Sequence, residues 1–144
     1  MLKEKILSEI DQMNERWNKL IFFCLGDLDE NLPSEVGIEE ININLIVSEE
    51  LIDVPKNRYS FNVLNIIQNQ LGDKQKVYLF NHIDILFDPS LQINPVRLFE
   101  NLSKENKIIV NWPGIYHDGK LVYAEYGHPE YFTCDDFEGE VIVK

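Results

Sequence analysis

The sequence lacks a phosphate-binding loop of the kind found in P-loop nucleotidases. Such a loop has the pattern Gly-x-x-x-x-Gly-Lys-Ser/Thr, because glycine amides must approach the phosphates, the lysine must neutralise them and the hydroxyl must reach magnesium. The only Gly-Lys pair, Gly119-Lys120, is followed by Leu121 and preceded by a turn signal. The sequence therefore excludes the standard loop as a means of holding a nucleotide.

Basic residues are also scarce. The chain has 13 Lys and Arg residues against 25 Asp and Glu residues, which gives a formal net charge of −12. A surface with this charge repels a phosphate polymer unless its bases are clustered, and they are not clustered along this sequence. Composition thus opposes direct binding of nucleic acid.

Few residues are suited to holding metals or cross-linking the chain. Cys24 and Cys134 are far apart and have no metal-ligand spacing. No pair among His82, His117 and His128 stands at a ligand spacing such as i, i+4. We therefore expect no metal site, no disulfide and no bound cofactor.

Long apolar runs are absent too. The first eleven residues mix acids into the place of a signal core, and no later run approaches the length of a membrane span. We expect a cytoplasmic protein without membrane contact. A chain of 144 residues, 44% of them hydrophobic, suits a single folded domain over residues 1–144.

Hydrophobic periodicity predicts alternating strands and helices. Short unbroken apolar runs predict strands covered on both faces, and apolar positions at three- and four-residue steps predict helices. The predicted helices cover 2–20, 58–71 and 95–102, and the predicted strands cover 20–25, 41–47, 76–81 and 107–111. Such alternation favours an α/β fold, a three-layer parallel sheet of about five strands flanked by helices. A C-terminal β-hairpin follows over 115–123.

Particular residues define the ends and faces of these elements. Asn94 and Pro95 mark a helix start, Asp118-Gly119 marks a hairpin turn, and Ser48 opens a helical turn after the second strand. The apolar stripe of the first helix consists of Leu2, Ile6, Ile10, Met13, Trp17 and Leu20, and that of the second helix consists of Phe61, Leu64, Ile67 and Leu71.

The segment after the first strand is strongly acidic. Residues 26–37 occupy the place where phosphates sit in three-layer nucleotide-binding folds. From Leu20 to Pro55 the chain has nine acids and no lysine or arginine. Because like charges repel at short range, this segment opposes phosphate binding.

Two polar residues follow the third predicted strand. Asn81 and Asp84 stand where an active nucleotidase would have a metal-bound Asp and a water-polarising Glu. An asparagine is a neutral and weaker magnesium ligand, and an aspartate is one methylene shorter than glutamate. We interpret both as vestigial positions. The alternative is that Asn81 is an ordinary strand-end amide and Asp84 an exposed turn acid, and that neither derives from a catalytic residue.

Aromatic residues are dense near the C-terminus. The segment 123–131 combines Tyr123, Tyr126 and Tyr131 with polar residues and Pro129. This composition is typical of a protein contact or of a rigid turn, and both remain open.

Several short motifs together point to a resemblance with a known family. They are the segments 41–45, 83–91, 95–98, 102–103 and 109–114, and 121–124 followed by 127–131. These motifs resemble those of BrxF, the small P-loop protein family of type 3 BREX phage-defence systems, and the similarity covers most of the chain. The resemblance implies a P-loop-nucleotidase-like fold in which the loop is degenerate or lost. It also implies that Lys104 stands where family members have an arginine.

The resemblance implies a function as well. Loss of the loop, the metal-holding acid and the arginine together fits a pseudo-nucleotidase without catalytic residues. We expect a structural or regulatory subunit of a phage-defence complex that contacts other proteins of the system or further copies of itself. The candidate contact residues are Trp112, His128, Glu130 and Tyr131.

Two other functions remain open from the sequence. One is a weak nucleotide-binding ATPase of the same system that uses Asn81 and Asp84. The other is a nucleic-acid-binding module in which exposed aromatics such as Trp112 or Tyr131 stack on bases, although the net charge opposes it.

Overall fold

The computed structural model describes residues 2–24 and 37–143 of the chain. Its helices are α1 (Leu2–Met13), α2 (Ile43–Leu51), α3 (Tyr59–Gln68) and α4 (Pro95–Leu102). Its strands are β1 (Leu20–Cys24), β2 (Ile38–Asn42), β3 (Val77–Asn81), β4 (Lys107–Asn111), β5 (Ile115–His117), β6 (Lys120–Tyr123), β7 (Phe132–Cys134) and β8 (Glu140–Val143). Short 3₁₀ turns cover Lys56–Arg58, Asp84–Phe87 and Pro89–Leu91.

Five strands form a parallel sheet in the order β2-β3-β4-β1-β8. The prediction of an α/β fold with about five parallel strands flanked by helices is therefore confirmed at this level. The three central strands, β1, β3 and β4, are the unbroken apolar runs of the sequence, and their middle residues are buried. The fifth strand, β8, arises from the apolar C-terminal segment, where Val141 pairs with Phe22.

The second strand lies earlier than predicted. The expected strand over 41–47 is wrong beyond residue 42, because Asn42 begins a helix: its side chain accepts a hydrogen bond from the amide of Leu45 (3.0 Å). Such a cap satisfies an amide that the first helical turn leaves unpaired. Ile43, Val47 and Leu51 are then buried at four-residue steps, which is helical rather than alternating periodicity.

Two predicted apolar stripes are partly wrong. Helix α1 ends at Met13, and Trp17 is 80% exposed rather than packed against the protein. The chain turns after Met13, and the Lys19 amide donates to the Ser103 carbonyl (2.8 Å), which brings Leu20 into β1 instead. In α3, Phe61 is 76% exposed, and Val63 takes its place in the core.

The two faces of the parallel sheet are covered by different elements. Ile6 and Met13 of α1 share a buried cluster with Ile21 and Phe23 on one face. The other face belongs to the cluster that includes residues of α2, α3, α4 and the smaller sheet. Within 2–24 and 37–143, no helix is long and apolar enough to cross a membrane.

The predicted hairpin is part of a second, three-stranded sheet. Strands β5 and β6 pair around Asp118-Gly119 as predicted, and β7, which the sequence analysis missed, pairs with β6. Aromatic side chains join this sheet to the parallel one.

Trp112 makes this connection. Its ring contacts Phe22 and Phe87 edge to face, with centroids 5.9 and 5.4 Å apart, and its Nε1 donates to the Val122 carbonyl (3.0 Å). Because Trp112 is only 1% exposed, its expected role as an exposed aromatic is wrong.

Gly114 provides a test of this connection. A Cβ at Gly114 would overlap the carbonyl oxygen of Val122, the acceptor of the Trp112 hydrogen bond. We predict that Gly114→Ala lowers the free energy of unfolding by about 2 kcal/mol, because β6 and the turn must separate. Urea denaturation measures this loss.

Gly72→Ala is the matched control. Nothing lies within 4 Å of a Cβ at Gly72, so we expect a change within about 0.5 kcal/mol. Equal stability of the Gly114→Ala and Gly72→Ala variants would show that the close approach between Gly114 and β6 is wrong.

Candidate functional site

Strands β2, β3 and β4 bring three polar side chains into one row near the carboxyl ends of β3 and β4. Asn111 Nδ2 donates to Asn81 Oδ1 (2.8 Å), and Asn81 Nδ2 donates to Glu40 Oε1 (2.8 Å). Parallel pairing produces this row. Phe80 lies beside Val110, which brings Asn81 next to Asn111, and Glu40 lies beside Leu79, two residues before Asn81 and on the same face of β3. We call Glu40, Asn81 and Asn111 the amide ladder.

The carboxylate of Glu40 sets the direction of the amide ladder. An ionised carboxylate can only accept hydrogen bonds, so Asn81 must present its amide nitrogen to Glu40 and its oxygen to Asn111. The carbonyl oxygen of Asn81, which would be its ligand atom for a metal, is therefore engaged by a protein donor. A cation at this position would have to compete with that hydrogen bond.

Asp84 is tied to the smaller sheet. The hydroxyl of Tyr123 donates to Asp84 Oδ2 (3.1 Å), and the Tyr123 ring stacks on Phe87 with centroids 3.8 Å apart. Burial, and secondly the charge of Asp84, raise the pKa of Tyr123 to about 12. Asp84 is half-buried, so the exposure that the alternative interpretation expected is wrong, and both interpretations of its origin stay predictions.

The turn between Asn81 and Asp84 is fixed by α2. The Asn44 amide donates to the His82 carbonyl (2.8 Å), and Asn44 Oδ1 accepts from the Ile85 amide (2.8 Å). These two bonds hold His82 in a left-handed conformation (φ 52°), which non-glycine residues seldom adopt. The position of Asp84 is thereby defined.

An open pocket of about 270 Å³ lies between the loops that follow β3 and β4. The polar side chains in its lining are Asn81, His82, Asp84 and Asn111. Ligands of open parallel sheets bind at the carboxyl ends of strands, so this pocket is the natural candidate site.

Lys104 lies away from this site. It follows α4 and precedes β4, whereas Asn111 ends β4, which places about 13 Å of strand between the two ends. The Lys104 carbonyl accepts a hydrogen bond from Lys19 Nζ (3.3 Å) at that opposite edge. The structure does not bring Lys104 together with Asn81 and Asp84.

The remaining candidate contact residues lie in the loop between β6 and β7. The Tyr131 amide donates to the His128 carbonyl (3.0 Å), and the Glu130 amide donates to His128 Nδ1 (3.0 Å). These bonds define a rigid turn, one of the two interpretations of this segment; a protein contact stays a prediction.

Metal and thiol chemistry find little support in the described residues. These residues contain no group of three or more His, Cys, Asp or Glu side chains that could hold a metal ion. Burial raises the pKa of the Cys24 thiol to about 11, so the nucleophilic thiolate is scarce at neutral pH. The acidic segment over 26–37 lies outside the described part of the chain, except for Gly37.

Sequence reasoning missed two members of the amide ladder and the partner of Asp84. Asn111 ends an apolar strand in the same way as Asn81, so the strand-end rule applied to Asn81 could have found it. Glu40 was out of reach because the second strand was placed too late. Tyr123 is distant in sequence from Asp84, and no local pattern joins them.

The amide ladder predicts a specific pH response. In Asn81→Asp the new carboxylate faces Glu40, and repulsion raises the folded-state pKa of the pair above its unfolded value. The resulting loss in the free energy of unfolding is absent at about pH 4 and grows as the pH rises, to about 1 kcal/mol at pH 7. Urea denaturation of the variant and the wild type across this range measures the difference.

Glu40→Gln in the same background is the control. It removes the second carboxylate, so we expect the pH dependence to return to that of the wild type. An Asn81→Asp profile parallel to the wild type would contradict contact between Asn81 and Glu40.

Comparison with known proteins gives no relative: no protein-family model, no curated protein and no solved structure matches the chain.

Proposed function

We propose that this chain is a non-catalytic, BrxF-like subunit of a type 3 BREX phage-defence complex, with a degenerate P-loop-nucleotidase fold. Its role is structural or regulatory, and it acts in the cytoplasm through contacts with other proteins of the system or with further copies of itself. The defence context comes from the resemblance of the sequence motifs. The observation that carries the loss of catalysis is the amide ladder.

The chemistry of the amide ladder supports this proposal. Magnesium in phosphoryl-transfer sites is held by carboxylates and by the phosphates themselves, at short distances and in octahedral geometry. Asn81 offers a neutral oxygen that already accepts from Asn111. The one carboxylate in the row, Glu40, already accepts from Asn81. Asn81 Oδ1 and Glu40 Oε1 thus each already accept a hydrogen bond from the protein.

Asp84 supports the same conclusion. A catalytic acid of a nucleotidase must polarise an attacking water, which requires a carboxylate oxygen directed at the substrate. One oxygen of Asp84 accepts from Tyr123, whose ring is stacked on Phe87. Through its hydrogen bond with Tyr123, Asp84 holds the smaller sheet against the loop after β3.

The pocket at the strand ends favours a second candidate, a weak nucleotide-binding ATPase of the same system. A volume of about 270 Å³ admits part of a nucleotide, and Asp84 and Asn111 contribute to its lining. The nucleic-acid alternative loses one of the two aromatic residues named for it, because Trp112 is buried, whereas Tyr131 is 40% exposed.

Calorimetric titration with ATP and magnesium separates the two candidates. We predict no saturable heat and no rise in melting temperature, because a ligand that binds only the folded state must stabilise it. An affinity in the micromolar range would contradict the non-catalytic proposal.

Two variants show whether any ATP binding that is found depends on Asp84. The ATPase candidate requires that Asp84→Ala abolish it, whereas Asp53→Ala, an exposed acid after α2, should leave it unchanged. Equal loss in both variants would indicate a general charge effect.

A further inference from the structure

Two tyrosines project from the loop between β6 and β7. Tyr126 is 91% exposed and Tyr131 is 40% exposed, and their rings meet edge to face with centroids 5.6 Å apart and planes at 77°. Large aromatic rings left in water cost solvation free energy, and they are enriched at protein contacts. We call the segment from residue 124 to residue 131 the tyrosine loop.

Hydrogen bonds within the tyrosine loop stabilise its turn. The His128 amide donates to the Glu125 carbonyl (2.9 Å), and further hydrogen bonds from Glu130 and Tyr131 return to His128. Gly127 adopts a left-handed conformation (φ 94°) that lets the chain turn between the two tyrosines. A partner therefore meets a surface that is already ordered, which lowers the entropic cost of binding.

The strands that flank the tyrosine loop are joined to the rest of the protein. The loop connects β6 and β7, and β6 is joined to the parallel sheet by Trp112 and by the stack of Tyr123 on Phe87. Aromatic side chains on a rigid support are the usual anchors of protein recognition.

The tyrosine loop carries formal charge of one sign. Between residues 124 and 131 the chain has the acids Glu125 and Glu130 and no lysine or arginine. The whole chain is acidic as well, with a formal net charge of −12. The complement of the loop is a cationic surface.

We propose that the tyrosine loop docks an arginine-bearing segment of a partner protein. A guanidinium group stacks on an exposed tyrosine face and presents a planar fork to carboxylates, which an ammonium group cannot match. Tyr126 offers the face, and Glu125, exposed next to it in the chain, offers the carboxylate. This inference rests on the proposed function in taking the chain to be a docking subunit, but it does not require that nucleotide binding be lost.

A titration with defined peptides tests the inference. The full chain, labelled with ¹⁵N, is titrated with a short peptide of alternating arginine and glycine and with its lysine counterpart. We expect saturable chemical-shift changes centred on residues 124–131. We also expect the arginine peptide to bind more tightly than the lysine peptide, since the stacking contribution favours guanidinium.

Matched variants locate the binding. Tyr126→Ser should weaken the arginine peptide roughly fivefold, which corresponds to the loss of one cation–π contact. Phe61→Ser removes an aromatic ring of similar exposure on α3 and should leave the affinity unchanged. Glu125→Gln and Glu49→Gln form a second pair of the same design. Glu125→Gln, inside the tyrosine loop, should also weaken binding of the arginine peptide, and Glu49→Gln, on α2, should leave the affinity unchanged.

Three outcomes would overturn the inference. They are no binding of the arginine peptide, equal affinity for the two peptides, and equal effects of Tyr126→Ser and Phe61→Ser. Failure here is distinct from failure of the proposed function, which the titration with ATP and magnesium decides independently.

Discussion

The parallel pairing of β2, β3 and β4 determines which polar side chains meet at one edge of the sheet. Parallel strands deliver their carboxyl ends to one edge of the sheet, so polar side chains at neighbouring strand ends can meet. In this chain the side chains of Asn81 and Asn111 meet in this way, and Asn81 also bonds to Glu40 within β2. That edge of the sheet thus holds a row of hydrogen bonds between protein side chains.

The second constraint is the aromatic cluster that joins the two sheets. Trp112 follows β4 directly and packs on Phe22 and Phe87, and truncating a buried tryptophan costs on the order of 3 kcal/mol or more. Because Tyr123 belongs to the same cluster, the packing that stabilises the smaller sheet also directs a hydroxyl at Asp84. Stability and the chemistry of the strand ends are therefore coupled. The tyrosine loop is supported by the same cluster, because it connects β6 to β7.

Much of the fold follows from the sequence, and the failures have physical causes. The apolar runs of β1, β3 and β4, the Asn94-Pro95 helix start and the Asp118-Gly119 turn were predicted because each depends on local chemistry. The second strand was misplaced because β-branched residues outweighed the capping role of Asn42. Strand β7 was missed because three residues carry too little periodicity to be recognised.

The candidate site was less accessible to prediction. Asn81 and Asp84 were identified from their place after β3, but their partners Glu40, Asn111 and Tyr123 come from other strands and are set by register and packing. The exposure of Trp17 and the burial of Trp112 likewise depend on where the chain turns, which no local pattern reveals.

A through-hydrogen-bond scalar coupling across the amide ladder is the decisive measurement. In a ¹³C,¹⁵N-labelled sample we predict a coupling between the side-chain nitrogen of Asn111 and the carboxamide carbon of Asn81. We further predict that the side-chain amide protons of Asn81 exchange more slowly than those of an exposed asparagine. Absence of the coupling, together with rapid exchange of the Asn81 amide, would contradict the account, because the Asn81 oxygen would then be open to a ligand.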